Sequence, residues 1–165
     1  MAASRLSLEQ EGRIARLILD APPSNPTDAA FFDELARLAA ESLPRLDVDG
    51  LVIRGRGRHF SSGANVAQLE ALLAASGSQG AAPALLEHAR ALSRIESLPF
   101  PVVAAIDGAC LGSALELALA CRFRVATDSA LLGLPECTFG LVPGCGGTVP
   151  SSVELAQPRM PLTSG

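Results

Sequence analysis

The chain has 165 residues, enough for one domain with a sizeable hydrophobic core, and 48% of them are apolar against 18% charged. This is a globular composition, and the net charge of −4 gives no general attraction to nucleic acid or to anionic membranes. All 13 basic residues are arginines, which excludes a Schiff-base lysine and the lysine of a phosphate-binding P-loop.

The N-terminal part of the sequence predicts a β-hairpin followed by a helix. Apolar residues alternate on either side of a glycine turn, which is typical of two paired strands, over 5–10 and 13–20. Asn25 followed by Pro26 predicts a helix N-cap with proline in the first helical position. A helical stripe of apolar residues continues from there through residue 43.

The middle of the chain predicts a strand, two helices and an intervening loop. The apolar run over 51–55 predicts a buried strand, and Asn65 can cap a short helix over 66–74. Residues 75–83 are small, polar and uncharged, which is typical of a mobile loop. The second helix is predicted from an apolar face formed by Leu85, Ala89, Leu92 and Ile95.

The remaining segments again alternate between strand and helix. Strands are predicted over 101–107, 123–128 and 130–134, and a helix over 111–121. Such alternation indicates an α/β layered fold, and a spiral of strand–strand–helix units is compatible with it. The predicted core domain spans 1–148, with an irregular tail over 149–165.

Six residues are conceivable metal ligands: Cys110, Cys121, Cys137, Cys145, His59 and His88. The cysteines form no C-x-x-C pair and the histidines lie far from them in sequence, so no metal site is expected. Free thiols, buried or half-buried in a reducing cytosol, are the favoured interpretation. The sequence shows neither a signal peptide nor an apolar run that could span a bilayer, so a cytoplasmic protein without membrane partners is expected.

Glu116 lies in a predicted helix that is apolar on every side, so that helix should be buried. A buried carboxylate is costly unless it is paired or functional. Two interpretations of Glu116 therefore stay open. It either forms an ion pair with Arg122 or Arg124, or it has a catalytic role.

Glu136 is the single charged residue between Ser129 and Val153. It is either a solvated loop carboxylate that follows Pro135 or a second catalytic group. Two glutamates in neighbouring apolar segments suit general acid/base work, because local environments can give them different protonation states.

Two glycine-containing segments, 60–64 and 110–113, supply backbone donors for such chemistry. The first follows a strand and the second opens a helix, where N–H groups point outward without an intrahelical acceptor. Two converging N–H groups would form an oxyanion hole. A serine nucleophile is not expected, since no histidine is placed as its base. His59 adjoins the first segment and could contact phosphate, although a surface histidine without a functional role is the favoured interpretation.

Three longer segments share the motif pattern of one family. They are HFSSGANVAQL at 59–69, PVVAAIDGACLGSALELALACRFRVAT at 101–127 and LLGLPECTFGLVPGCGGT at 131–148. They resemble the F-[SA]-A-G-A-D-[IL], P-x-I-A-A-[VI]-[ND]-G-x-A-x-G-G-G-x-E-L and F-x-x-P-E-x-x-[IL]-G-[LI]-x-P-[GD]-x-G-G-T segments of the crotonase superfamily, the enoyl-CoA hydratases and isomerases. The order of the segments agrees, and so does the step from Glu116 to Glu136.

The resemblance implies a crotonase-like α/β spiral of β-β-α units. It also implies a lyase that needs no metal or redox cofactor, with coenzyme A entering as part of an acyl-CoA thioester substrate. The backbone N–H groups of Ser62 and Ser113 would form the oxyanion hole, Glu116 would act as base toward water, and Glu136 would deliver a proton to the α-carbon. The further substrate-binding residues that it implies are Gly63, Ala64, Asn65 and Gly112. The presence of both glutamates favours hydration, with isomerisation and acyl-CoA hydrolysis as alternatives.

The sequence departs from the family's pattern at single positions and at its end. Ser62 replaces the usual alanine, Ser113 the usual glycine and Asn65 the usual aspartate. Main-chain donors tolerate the two serines, although Ser113 narrows the pocket. After Thr148 the family's pattern continues into a helical part that covers the acyl pocket and helps to build trimers or hexamers. The absence of this helical part predicts a truncated or frameshifted chain. The alternative to an active enzyme is then a non-catalytic fragment that binds acyl-CoA or only oligomerises.

Overall fold

Strands and helices alternate along the chain in the computed structural model, which describes residues 4–64 and 83–135. Its strands are β1 (Leu6–Glu11), β2 (Ile14–Leu19), β3 (Gly50–Gly55), β4 (Val102–Ile106), β5 (Ala109–Leu111), β6 (Phe123–Ala126) and β7 (Leu131–Gly133). Its helices are α1 (Ala29–Arg37), α2 (83–96) and α3 (Ser113–Ala120). Helix α1 continues through a π-type turn (Leu38–Ser42) and a 3-10 turn (Leu43–Arg45).

Five of the strands form one sheet in the order β1-β2-β3-β4-β6. Strands β1 and β2 pair antiparallel, which confirms the predicted hairpin, and Leu6 lies opposite Leu19. The pairs β2–β3, β3–β4 and β4–β6 are parallel, so each connection between them crosses over the sheet through a helical segment. Strands β5 and β7 pair in parallel as a separate small sheet. The predicted α/β architecture is confirmed.

A single hydrophobic core joins one face of the large sheet to the helices. Alternate residues of the three inner strands face this core, as in Leu17, Ile53 and Ala104, each with 0% exposure. Helix α2 contributes Leu92 and Ile95, as its predicted apolar face requires. This core fixes the sheet whose strand ends carry the candidate site.

Helix α1 begins later than the sequence pattern predicts. The predicted N-cap at Asn25 is wrong, because the helix begins at Ala29 and its N-cap is Asp28. The Asp28 Oδ1 atom accepts the Phe31 N–H at 2.9 Å. Its Oδ2 atom lies 2.6 Å from the Arg5 guanidinium. Asp28 therefore both caps the helix and ties it to the residue that precedes β1.

Asn25 instead occupies a buried turn. Its φ of +48° lies in the left-handed region, which asparagine tolerates better than most residues. Its Oδ1 atom accepts the Ala21 N–H at 3.0 Å. Its Nδ2 atom donates to the carbonyls of Arg56 at 2.9 Å, His59 at 2.9 Å and Phe60 at 3.3 Å. One amide side chain thus fastens the turn before α1 to the loop after β3.

We expect Asn25→Ala to lower the free energy of unfolding by about 3 kcal/mol, because three carbonyls of the loop after β3 lose their donor and alanine is disfavoured at positive φ. The matched control is Gln10→Ala, which removes an exposed amide that donates to the Gly12 carbonyl at 3.0 Å. Its cost should stay below about 0.5 kcal/mol. Urea denaturation measures both values, and equal costs would contradict the role given to Asn25.

The helix predicted over 111–121 is shorter than expected. Residues Ala109–Leu111 form β5, and α3 begins only at Ser113, after Gly112 turns the chain with a φ of +56°. Several predictions lie outside the described residues, namely the Asn65 cap, the helix over 66–74, the domain boundary at 148 and the tail over 149–165. The same holds for the predicted loop over 75–83, except that residue 83 belongs to α2.

Candidate active site

A short parallel pairing beside the main sheet brings the two glycine-containing segments together. The Ser61 N–H donates to the Ala109 carbonyl at 2.9 Å, and the Leu111 N–H donates to the Ser61 carbonyl at 3.2 Å. On the other side of β5, the Gly112 N–H donates to the Gly133 carbonyl at 2.8 Å. The carboxyl ends of three neighbouring parallel segments therefore meet at one edge, the place where ligands bind in open α/β sheets.

Gly63 allows the first segment to lie directly against the second. Its φ is +82°, and a Cβ atom there would lie 2.3 Å from the Leu111 carbonyl oxygen. Both the backbone conformation and the close approach therefore require glycine at this position. The predicted binding residues Gly63 and Gly112 are thus placed side by side, next to the first residue of α3.

The two predicted oxyanion donors are in different hydrogen-bonding states. Ser113 is the first residue of α3, where N–H groups lack an intrahelical acceptor. Within 4–64 and 83–135, the Ser113 N–H makes no hydrogen bond. The Ser62 N–H, in contrast, donates to the Ser24 carbonyl at 2.8 Å. The Ser62 N–H thus already has an acceptor among the described residues, and the roles of Ser62 and Ser113 as oxyanion donors stay predictions.

Glu116 lies in the first turn of α3 and is only 4% exposed. No residue of this helix is exposed, which confirms that it is buried as its apolar composition predicts. The Arg122 guanidinium lies 5.8 Å from the centroid of the Phe123 ring. The Arg124 guanidinium donates to three carbonyls at the C-terminal end of α3. Both arginines thus contact other groups, and the catalytic role of Glu116 stays a prediction.

Glu136 and Asn65 lie outside the described residues, and their roles stay predictions. In the sequence, Glu136 comes three positions after the end of β7. The carboxyl end of β7 lies beside that of β5, at the edge that carries Gly112 and Ser113. Ala64 ends the described part of the first segment and is exposed.

Cys110 and Cys121 are buried free thiols, as predicted. Burial raises the pKa of each thiol to about 12, so both are poor nucleophiles at neutral pH. Cys137 and Cys145 lie outside the described residues. In the part of the chain that the structure describes, no cluster of side chains is suited to hold a metal ion, and no helix could cross a membrane.

The structure adds a contact for one predicted residue and a further residue that the sequence did not indicate. His59 is half-buried, and its Nδ1 atom accepts the Ala109 N–H at 3.1 Å. Thr27 was not predicted at all, yet its Oγ1 atom lies 2.6 Å from the Ser113 Oγ atom. The sequence around Pro26 indicated only the start of a helix, and no sequence signal links Thr27 with Ser113.

A cavity of about 280 Å³ lies at the carboxyl ends of β3, β4 and β6. Its polar lining comes from Arg54, His59, Asp107 and Thr127. Neither Ser113 nor Glu116 belongs to the described lining, so this cavity does not coincide with the predicted site. His59 lines this cavity and also bonds to β5.

The fold is that of the crotonases. It combines a mostly parallel sheet, a second small sheet beside it, and a buried helix that starts where two glycine-containing segments meet. The sequence model of the enoyl-CoA hydratase/isomerase family matches residues 9–153. The chain belongs to this family.

Individual relatives agree with this membership. The chain is 36% identical over 162 residues to a probable enoyl-CoA hydratase of Bacillus subtilis, covering 97% of this chain and 62% of that protein. It is 46% identical over 144 residues to the fatty acid oxidation complex subunit alpha of Vibrio campbellii, covering 84% of this chain and 20% of that protein. The chain therefore spans less than two thirds of the length of these relatives.

Solved structures show the same fold. DspI of Pseudomonas aeruginosa has a TM-score of 0.79 and 32% identity, covering 89% of this chain and 55% of its own. An enoyl-CoA hydratase from Bacillus anthracis has a TM-score of 0.77 and 30% identity, covering 88% of this chain and 56% of its own.

Proposed function

We propose that this chain is a lyase that adds water across the C2=C3 bond of an enoyl-CoA thioester. The observation that carries the proposal is the placement of Ser61–Gly63 beside Leu111–Ser113, with the buried Glu116 in the helical turn that follows. This arrangement combines backbone donors with a carboxylate in a water-poor setting, as an enolate-forming reaction requires. The names of the relatives support the substrate class.

The backbone donors stabilise the charge that develops during this reaction. When water attacks C3, electrons move through C2 onto the thioester oxygen, which becomes enolate-like. The Ser113 N–H lies at the positive end of α3 and binds this oxygen. The Ser62 N–H supplies the second hydrogen bond once it exchanges the Ser24 carbonyl for the thioester oxygen. Each such donor contributes about 3 kcal/mol to transition-state stabilisation.

The two glutamates move the protons. Glu116 takes a proton from the attacking water as the water oxygen bonds to C3, and Glu136 gives its proton to C2. The product is a 3-hydroxyacyl thioester, and a proton returned through solvent restores both glutamates. The reaction involves no net oxidation, so it needs no redox cofactor. Gly63, Ala64, Asn65 and Gly112 line the thioester in this scheme.

The test is a hydration assay with crotonyl-CoA in water enriched in oxygen-18. We expect the absorbance of the conjugated thioester to fall, one labelled oxygen to appear at C3, and no free thiol to be released. A shifted double bond without solvent oxygen would indicate isomerisation, and free thiol would indicate hydrolysis. Either result, or no turnover at saturating protein, contradicts the proposal.

Assembly belongs to the same proposal, since the family resemblance supports a homotrimer or homohexamer. Light scattering on the purified 165-residue chain, with and without crotonyl-CoA, measures it. A monomer that binds crotonyl-CoA without converting it would favour the alternative of a non-catalytic binding fragment.

A further inference from the structure

The segment before α1 contacts both halves of the candidate oxyanion hole. The Thr27 N–H donates to the Gly63 carbonyl at 3.0 Å, next to Ser62. The Thr27 Oγ1 atom lies 2.6 Å from the Ser113 Oγ atom. One residue thus bonds through its backbone to the first segment and through its side chain to the second.

Burial makes the contact between the two hydroxyl groups consequential. Thr27 is 3% exposed and Ser113 is 7% exposed, so water cannot readily replace a lost partner. Thr27 also precedes the Asp28 cap, whose hydrogen bond to the Phe31 N–H and ion pair with Arg5 hold this part of the backbone in place. The Thr27 hydroxyl therefore projects from an anchored backbone.

We propose that Thr27 is the positioning residue that sets the separation of the two glycine-containing segments, 60–64 and 110–113, which carry the proposed oxyanion donors. Its amide holds the Gly63 carbonyl of the first segment, and its hydroxyl holds the Ser113 hydroxyl of the second. Thr27 does not touch the reacting atoms in this scheme, and it acts through the two segments that it joins. The proposal rests on the proposed function, because the two donors matter together only if a developing negative charge lies between them.

The geometry predicts that Thr27 and Ser113 act as one unit. Removing either hydroxyl breaks the same contact, so removing the second should add little. Thr27→Val keeps the size of the side chain and removes the hydroxyl, whereas Thr27→Ser keeps the hydroxyl. Ser113→Ala keeps the backbone N–H and removes its hydroxyl partner. These variants separate the hydrogen bond from the volume of the side chain.

Steady-state kinetics of crotonyl-CoA hydration provide the first readout. We expect Thr27→Val to lower kcat about tenfold with KM changed less than about twofold, since misplaced donors weaken transition-state binding more than substrate binding. Thr27→Ser should stay within about twofold of the parent chain. Ser113→Ala and the double variant Thr27→Val/Ser113→Ala should each show the same tenfold loss. A hundredfold loss in the double variant, an unchanged kcat in Thr27→Val, or failure of Thr27→Ser to restore kcat would overturn the proposal.

Urea denaturation of the same four variants gives a readout that does not depend on catalysis. The contact predicts that the double variant unfolds at the same urea concentration as the less stable single variant. Additive shifts in the midpoint would overturn the proposal. If the parent chain does not hydrate crotonyl-CoA, the proposed function fails by itself, and this coupling still decides whether Thr27 and Ser113 form one unit.

Discussion

Glu116→Gln is expected to lower kcat for enoyl-CoA hydration about 10³-fold, the size of effect typical of a lost general base. Glutamine keeps the shape and hydrogen-bonding capacity of the side chain, but it cannot accept a proton from water. Because Glu116 is only 4% exposed, solvent is poorly placed to take over its role. Steady-state assays that follow the absorbance of crotonyl-CoA measure kcat and KM, and circular dichroism checks that the helix content is retained.

The matched control is Glu87→Gln, which changes an exposed glutamate of α2 that pairs with Arg90 on the surface. Its kcat should equal that of the parent chain, because surface ion pairs contribute little to stability and Glu87 lies outside the proposed site. Glu136→Gln should lose activity to a degree comparable with Glu116→Gln, since it removes the proton donor for C2. An unchanged rate in Glu116→Gln would reject the proposed base.

Gly63→Ala should destabilise the chain by about 4 kcal/mol or more, among the largest effects expected of a single substitution. Two costs combine at this position. A left-handed backbone disfavours any Cβ atom, and this one would lie 2.3 Å from the Leu111 carbonyl oxygen. The neighbouring atom belongs to the backbone of β5, so a side-chain rotation cannot relieve the clash.

Gly57→Ala separates these two costs. Gly57 has a φ of +80°, nearly the same as Gly63, but a Cβ atom there would meet nothing within 4 Å. Its substitution should therefore cost only the conformational term of about 1–2 kcal/mol. Thermal and urea unfolding of both variants give the difference. Similar losses for Gly57→Ala and Gly63→Ala would mean that the close approach to β5 contributes nothing.

The sequence could predict the elements whose signals are local. The hairpin, the strand β3, the helix α2 and the parallel strand β4 all follow from apolar periodicity and turn residues within short windows. The start of α1 could not be predicted in this way. Asn25 and Asp28 are both good caps by composition, and the choice depends on the Arg5 guanidinium and on the buried carbonyls that receive the Asn25 amide.

The candidate site was predictable in part, for a similar reason. Glu116 stands out because a charged residue in an apolar helix is rare and costly. Thr27 and His59 do not stand out, because their contacts to Ser113 and Ala109 join residues far apart in the sequence. Their side-chain types are also compatible with an ordinary surface position, so only the fold distinguishes them.

The small pairing of Ser61, β5 and β7 also has a consequence for the order of folding. All of its strand pairs are parallel and join distant parts of the chain. Forming them therefore costs loop-closure entropy that no local turn reduces. During synthesis, the edge that carries Gly112 and Ser113 cannot be completed until Gly133 has left the ribosome. The proposed site is thus completed late, after the hairpin and β3 can already pair. A nascent chain that stalls before this point would bury part of its core without having formed the proposed site.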